Sequence, residues 1–371
     1  MTNVLHLINY LGGGGSEIYI YTLAKKLHNN HCKFYIAYSE EGKGLKLFED
    51  LGIETIKLQM NSPFDIKAAN ELKKICKELS IDVIHTHFLR ENYISILSKL
   101  LGNKVRVINT RHMLDKNSKS VISMNKFFTR FNDSIIAVSS SVRNQMIYDE
   151  GLNPNKIKLI YTGVDLEEWS KPSSLNFRDE YKIPEGEILI TTIARFSKEK
   201  GHEFLINSIK YFKDYIKTNN PEFKFKFVLV GEGELFNDII DKAKDLQIYD
   251  DIIFTGYRRD IKNILKSSDI FILPSNNEAF GLSILEAMAA GLPVITTNSG
   301  GTREIINKDF DNGIIIEYGE IHKLSESLIV LIENKELKEQ YIANGYKTLS
   351  THFNIEKTIE ETYNLYKGRD I

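Results

Sequence analysis

Short apolar runs that end in glycine or polar turns alternate along the chain with amphipathic stretches, the rhythm of βα units stacked on a parallel sheet. In the first half "VLHLINY", "KFYIAYS", "DVIHTHF", "VRVINTRH", "SIIAVSS" and "KIKLIYTG" read as strands, with "SEIYIYTLAKKLH" and "DIKAANELKKICKEL" as helices between them. These six strands fit one sheet. In the second half "EILITTIARF", "FKFVLVGEG", "DIIFTGY", "DIFILPS", "LPVITTN" and "NGIIIEYG" repeat the pattern and fit a second. Between the halves, residues 165–187 are polar, hold two of the seven prolines and show no apolar period, so they read as a linker. The expected division is therefore 1–175 and 176–352, and the remaining 353–371 read as one more amphipathic helix with no strand after it.

A length of 371 residues agrees with two domains, taking roughly 150 residues for each. The 48 basic and 50 acidic side chains nearly cancel, which argues against a nucleic-acid binder. Cys32 and Cys76 are the only cysteines. They are too few for a disulfide framework or a cysteine metal site and fit a reducing cytosol. No stretch approaches the ~18 apolar residues of a membrane span, and the start "MTNVLHLINY" does not have the make-up of a signal peptide. The expectation is a cytoplasmic protein, at most peripheral to the inner face of a membrane.

Chemistry concentrates in "EAFGLSILEAMAAGLPVI", residues 278–295. Glu278 falls in the turn after a buried strand and Glu286 about two turns into the following helix, at the sheet edge where open α/β sheets bind ligands. Between them Phe280, Gly281 and Leu282 offer backbone N–H groups, which together with the helix dipole suit a phosphate. The flanking carboxylates suit vicinal hydroxyls. This stretch closely resembles the signature of retaining glycosyltransferases with the GT-B fold, the GT4-type group.

Other segments carry the same resemblance. In "TTIARFSKEKGHEFLINSI", Arg195 and Lys200 match the family's diphosphate-binding pair, and fixed cations there would stabilise charge growing on a departing phosphate; Lys198 reads as solvated. "VLVGEGELFNDII", with Gly231 and Gly233, and "FTGYRRDI", with Tyr257 and Arg258, resemble segments that line the nucleotide. In "LGGGGSEIYIYTLAKKL", Gly14, Gly15 and Glu17 match a Gly-Gly-x-Glu loop. His87 matches the histidine that many members present at the reacting sugar, whereas His85 reads as a packed strand residue. Arg111 and His112 end another strand where the family binds acceptors.

Competing readings fare less well. A dinucleotide-binding dehydrogenase also has a glycine-rich loop after its first strand, but the third glycine of Gly-x-Gly-x-x-Gly is replaced by Glu17 or Ile18. The Asp-x-Asp of Asp309 and Asp311, a possible sign of metal-dependent transfer, sits in a turn and reads as structural. A tyrosine and a threonine, Tyr161 and Thr162, stand where an asparagine often precedes Gly-Val-Asp in the family, leaving that loop without an assigned role.

The resemblance covers nearly the whole chain. It implies two Rossmann-like parallel-sheet domains facing a central cleft, the N-terminal one for the acceptor and the C-terminal one for a nucleotide-diphosphate sugar, UDP being favoured. The last helix would cross back to the first domain. It implies retention by front-face displacement without a metal or other cofactor, with a glycan, lipid-linked or small-molecule acceptor in cell-surface glycoconjugate synthesis. A GT-B epimerase or hydrolase and a catalytically silent sugar-nucleotide binder share these features and stay as alternatives. Residues 99–131 hold eight basic side chains against one acid, Asp115, interleaved with Phe127, Phe128 and Phe131. Such a surface suits anionic headgroups, with a solvated face as the other reading.

Overall fold

The computed structural model describes residues 1–173 and 176–369. The chain forms two compact units, Met1–Thr162 together with Glu356–Ile371, and Gly163–Ile355. The boundary expected at 175 falls on residues outside the described ones.

In the first unit seven strands form one sheet: β1 (Thr2–Tyr10), β2 (Cys32–Glu40), β3 (Glu54–Lys57), β4 (Val83–Thr86), β5 (Arg106–Arg111), β6 (Ser134–Ala137) and β7 (Ile157–Leu159). Every pairing is parallel, in the order β3-β2-β1-β4-β5-β6-β7. A parallel sheet is covered on both faces, so its central strands are apolar almost throughout. In β1, Val4, Leu5, Leu7 and Ile8 are fully buried, and so is His6 between them.

Helices cover these faces by ordinary amphipathic logic. The helix Ile66–Glu78 starts where Asp65 accepts from the N–H of Ala68 at 3.0 Å, which satisfies one of the open amides of the first turn. Its buried residues Ala68, Ala69, Leu72, Ile75 and Cys76 follow helical spacing and pack with Leu5, Leu7 and Tyr35 of the sheet. Truncating Leu72 to alanine would open a cavity and cost about 2–5 kcal/mol.

The second unit holds β8 (Ile188–Ile193), β9 (Phe225–Val230), β10 (Ile252–Gly256), β11 (Ile270–Leu273), β12 (Val294–Thr297) and β13 (Ile314–Ile316). They are parallel in the order β10-β9-β8-β11-β12-β13. Both sheets thus reverse direction of growth once, at β1/β4 and at β8/β11. In open α/β sheets the crevice at the carboxyl ends of such a strand pair is where ligands bind.

Two features, the third strand and the linker, differ from the sequence expectation, whereas the last helix packs where it was expected. β3 is a seventh strand of the first sheet. The linker is not structureless: it contains the short helices Leu166–Ser170 and Phe177–Tyr181, and Phe177 joins a core cluster with Leu189, Val228 and Ile264. The last helix, Ile355–Tyr366, packs with the first unit, where Tyr366 is fully buried and the carbonyls of Leu365 and Tyr366 accept from the guanidinium of Arg106. Asp309 and Asp311 lie in the turn before β13, where Asp311 accepts from Gln340.

Candidate functional site

The loops after β8 and β11 bring together the charged residues singled out in the second unit. Arg195 is exposed, and its Nη2 lies 2.6 Å from Oε1 of Glu199, which also accepts from Ser197 Oγ at 2.6 Å. Burial works against ionisation of Glu199, but the hydrogen bonds from Ser197 and Arg195 prevail and bring its pKa down to about 2. Lys200 Nζ lies 2.7 Å from Oε2 of Glu278, which also accepts from Ser275 Oγ at 3.2 Å. The two loops are stitched together where the Glu199 carbonyl accepts from the N–H of Asn276 at 2.9 Å. Lys198 is exposed, as expected of a solvated residue.

Gly201 makes this approach feasible. It has φ +71°, and a Cβ there would meet the Pro274 carbonyl oxygen at 2.0 Å. Gly231 and Gly233 do the same between β8 and β9, where added Cβ atoms would meet the carbonyl oxygens of Ala194 and Phe196 at 2.1 and 2.3 Å. The glycines expected to line the nucleotide therefore also let the β9 loop lie against the loop that carries Arg195.

Gly281 has φ +110° and opens the helix Leu282–Ala289, whose first amides have no acceptor earlier in the helix. Phe280 is buried beside it and Leu282 half-buried. Glu286, on the same helix, is only partly enclosed, yet its desolvated carboxyl is pushed up to about 7. Tyr257 is half-buried after β10. Arg258 beside it is committed elsewhere: it grips both oxygens of Glu180 at 2.6 and 2.8 Å and both of Asp260 at 2.8 and 2.7 Å, over the ring of Phe177. Its geometry is that of a clamp on the helix Phe177–Tyr181.

In the first unit, Gly14 and Gly15 are exposed where the helix Gly15–Leu27 begins, leaving bare amides at the carboxyl end of β1. Glu17 turns back onto this loop. It is buried, and its carboxylate accepts from the N–H of Gly13 at 2.9 Å and from Ser16 Oγ at 2.5 Å, so it shapes the loop. Arg111 is likewise internal, its Nη2 lying 2.7 Å from Glu150, which also accepts from Asn117 and Asn125.

His87 does not present an open nitrogen. Its Nε2 lies 3.0 Å from Nδ1 of His6 and its Nδ1 lies 3.0 Å from Nε2 of His112. His85 is bonded outside this series, to Tyr366 OH and Thr110 Oγ1, both at 2.7 Å. Among the described residues, His6, His85 and His87 have ligand atoms within 4.8 Å of one another, the spacing of a potential metal site. Burial depresses every one of these imidazoles, His6 and His112 to about 3 and the other two well below the ordinary value. They are neutral at physiological pH.

Sequence reasoning missed three participants. His6 sits within an unbroken apolar strand and gives no local signal. Glu199 looked like surface charge. Glu91 is fully buried at the start of the helix Leu89–Leu100, with Oε1 accepting from the N–H of Asn9 at 2.5 Å and Oε2 without a partner, and burial raises it to about 7.

Known proteins extend this picture. The family description "Glycosyltransferase Family 4" matches residues 13–168 and "Glycosyl transferases group 1" matches residues 173–348. The chain is 26% identical over 326 residues, 86% of it and 83% of the relative, to the N-acetyl-alpha-D-glucosaminyl L-malate synthase of Bacillus anthracis. It is 29% identical over 312 residues, 81% of it and 79% of the relative, to the Escherichia coli UDP-Gal:alpha-D-GlcNAc-diphosphoundecaprenol alpha-1,3-galactosyltransferase. Among solved structures, HepE of Anabaena in complex with UDP and glucose shares the fold at a TM-score of 0.86 and 18% identity, over 99% of this chain and all of that one. The two parallel sheets with their matching reversals are thus those of the GT-B glycosyltransferases, and the chain belongs to the glycosyl transferases group 1 family, GT4-type, as a glycosyltransferase.

Proposed function

We propose that this glycosyltransferase moves a sugar from a UDP-sugar to a hydroxyl acceptor with retention of anomeric configuration. The observation that carries the reading is the pair of cations at the β8/β11 reversal, Arg195 on Glu199 and Lys200 on Glu278. Both are held in place by carboxylates, Lys200 by the one that lies four residues before the helix Leu282–Ala289. A diphosphate entering there takes over the two cations and the helix terminus together. Glu278, released from Lys200, accepts from a donor-sugar hydroxyl, and Glu286 from the ribose. Gly231, Gly233 and Tyr257 flank the nucleotide.

In this reading the C1–O bond to the diphosphate breaks while the acceptor oxygen forms its bond on the same face. The acceptor proton passes to the departing phosphate oxygen. Arg195 and Lys200 meet the growing charge, so the reading assigns no metal or other cofactor. The first unit receives the acceptor beside His112, and Gly14 and Gly15 belong with the donor-binding residues. The names of the relatives support UDP as donor base, one of them being named for UDP-Gal and a diphosphoundecaprenol acceptor; a lipid-linked glycan in surface glycoconjugate synthesis is the acceptor class we favour.

We place the reaction in the cytoplasm at the inner membrane face. Phe127 is 49% exposed, with Lys116, Lys119, Lys126 and Arg130 exposed around it, and supports a peripheral contact. No helix among the described residues is long and apolar enough to cross a membrane.

The test is a thermal-shift series with UDP, GDP, ADP and dTDP, with and without magnesium, followed by UDP-sugars with candidate acceptors. A ligand that binds only the native state raises the melting temperature. A selective shift with UDP and acceptor-dependent product are expected. Product that forms equally without acceptor would move the reading to an epimerase or hydrolase, and no shift with any nucleotide would overturn the donor site.

A further inference from the structure

Three histidines of the first unit are joined ring to ring. His6 comes from the middle of β1, His87 from just after β4 and His112 from just after β5, three neighbouring strands of the sheet. Nδ1 of His6 faces Nε2 of His87, and Nδ1 of His87 faces Nε2 of His112, each at 3.0 Å. Successive rings lie near parallel, at 17° and 26°. The series runs from a fully buried end, His6, to a half-buried one, His112.

Each link requires one N–H and one lone pair, and a neutral imidazole has one of each. With His87 neutral between two neutral rings, the protons must align. Either His6 Nδ1–H donates to His87 and His87 Nδ1–H donates to His112, or both bonds run the other way. The choice is decided at the buried end. Nε2 of His6 is enclosed and has no partner. In the first arrangement that atom is an unused lone pair, and in the second it is an N–H sealed from any acceptor. Orphaned buried N–H groups are the rarer and costlier defect. His85 offers no relief, because Tyr366 and Thr110 already engage both its nitrogens.

We propose that His6 and His87 are positioning residues that force His112 to carry its proton on Nδ1, so that the half-buried end of the series offers a hydrogen-bond donor to an oxygen of the acceptor. The same alignment denies the acceptor a base at this nitrogen, which agrees with the departing diphosphate taking the proton. The role of His112 rests on the reading of the first unit as the acceptor side, but the alignment itself does not.

The experiment uses the full-length enzyme labelled with nitrogen-15 histidine, with ring nitrogens correlated to their ring protons. Signals are assigned by the single variants His6→Phe, His87→Phe and His112→Phe. His6, His87 and His112 are expected to be protonated on Nδ1 and unprotonated on Nε2. Protonation of any of the three on Nε2 overturns the alignment, as does a metal ion that copurifies and whose removal by chelator changes the ring signals. A second comparison isolates His6: His6→Asn keeps an N–H where Nδ1 sits and should leave His112 protonated on Nδ1, whereas His6→Phe should give His112 a mixture of the two forms. If His112 is unchanged in a folded His6→Phe, His6 does not set it and the proposal fails. Should that variant not fold, the wild-type spectrum still decides. These spectra are read without substrate, so they stand apart from whether the protein transfers sugar from UDP.

Discussion

Lys200 Nζ lies 2.7 Å from Oε2 of Glu278, and the two side chains are only 21% and 11% exposed. An ion pair this enclosed holds both partners in register, and the proposed donor site gives each a separate task. Lys200→Ala is expected to lower kcat by roughly 100-fold, the usual loss when one stabilising donor is taken from a transition state. Arg195→Ala should act in the same direction. Steady-state kinetics check this, and near-normal turnover in both variants would refute the diphosphate assignment.

Glu286 sets a pH dependence. Its folded pKa is raised to about 7 by burial, above the ordinary 4.5. A raised acid favours its protonated form in the folded state, so ionising it costs stability between about 4.5 and 7 as pH rises. In the proposed donor site only the ionised form would accept from both ribose hydroxyls through its two oxygens, so UDP affinity should strengthen from pH 6 to pH 8. Calorimetric titration across that range tests it. Glu286→Gln should bind more weakly at pH 8 and lose the slope, and an unchanged slope would point to another group.

Gly201→Ala should destabilise the second unit. Its φ of +71° and the Pro274 oxygen 2.0 Å from the added Cβ leave no relaxed conformation. Strain of this kind costs about 1–3 kcal/mol, and the displaced loop carries Lys200. A lower melting temperature and a smaller UDP-induced shift are expected together. A variant as stable as the parent would show that the β8 and β11 loops are not pressed together as described.

Arg258 should prove structural. Its bonds to Glu180 and Asp260 are partly exposed, and partners of this kind contribute about 1 kcal/mol. Arg258→Ala is expected to lower the melting temperature while UDP affinity changes less than twofold. Weakened UDP binding at unchanged stability would return the residue to the nucleotide.

Arg111 and Glu150 give the counterpart in the first unit. Their side chains are 9% and 3% exposed, and removing one partner of a buried pair costs about 3–5 kcal/mol because the other charge is stranded. Glu150→Ala should therefore destabilise strongly, and Arg111→Met combined with Glu150→Leu much less. Denaturant unfolding of the two variants separates this from an acceptor-binding role, which would show in KM with stability intact.

The sequence carried most of the architecture, because strands buried on both faces announce themselves as continuous apolar runs. β3 escaped because its four residues, Glu54–Lys57, are nowhere fully buried and lie at the edge of the sheet. The five-residue helices of the linker are too short to show a period, and the burial of Phe177 depends on partners that only folding supplies. At the site, the positions of Arg195, Lys200, Glu278 and Glu286 on loop and helix were legible from strand ends and glycines. What each charged group touches was not. Glu199 holding Arg195, Glu180 claiming Arg258 and His6 reaching His87 are contacts made by folding, the last two between residues some eighty positions apart.

The closure of the first unit by Glu356–Ile371 has a consequence for synthesis. Tyr366 fills the core and its hydroxyl meets His85, while Arg106 holds the end of its helix. Domains generally fold as units while the chain emerges. Here the first half leaves the ribosome with a vacancy that only residues made after the entire second unit can fill. The later half, continuous from Gly163 to Ile355, can mature first, and the histidine-lined interior is sealed last. A chain stopped after Asn354 should leave the first unit open to protease while the second resists digestion, and equal resistance of both would remove this order of events.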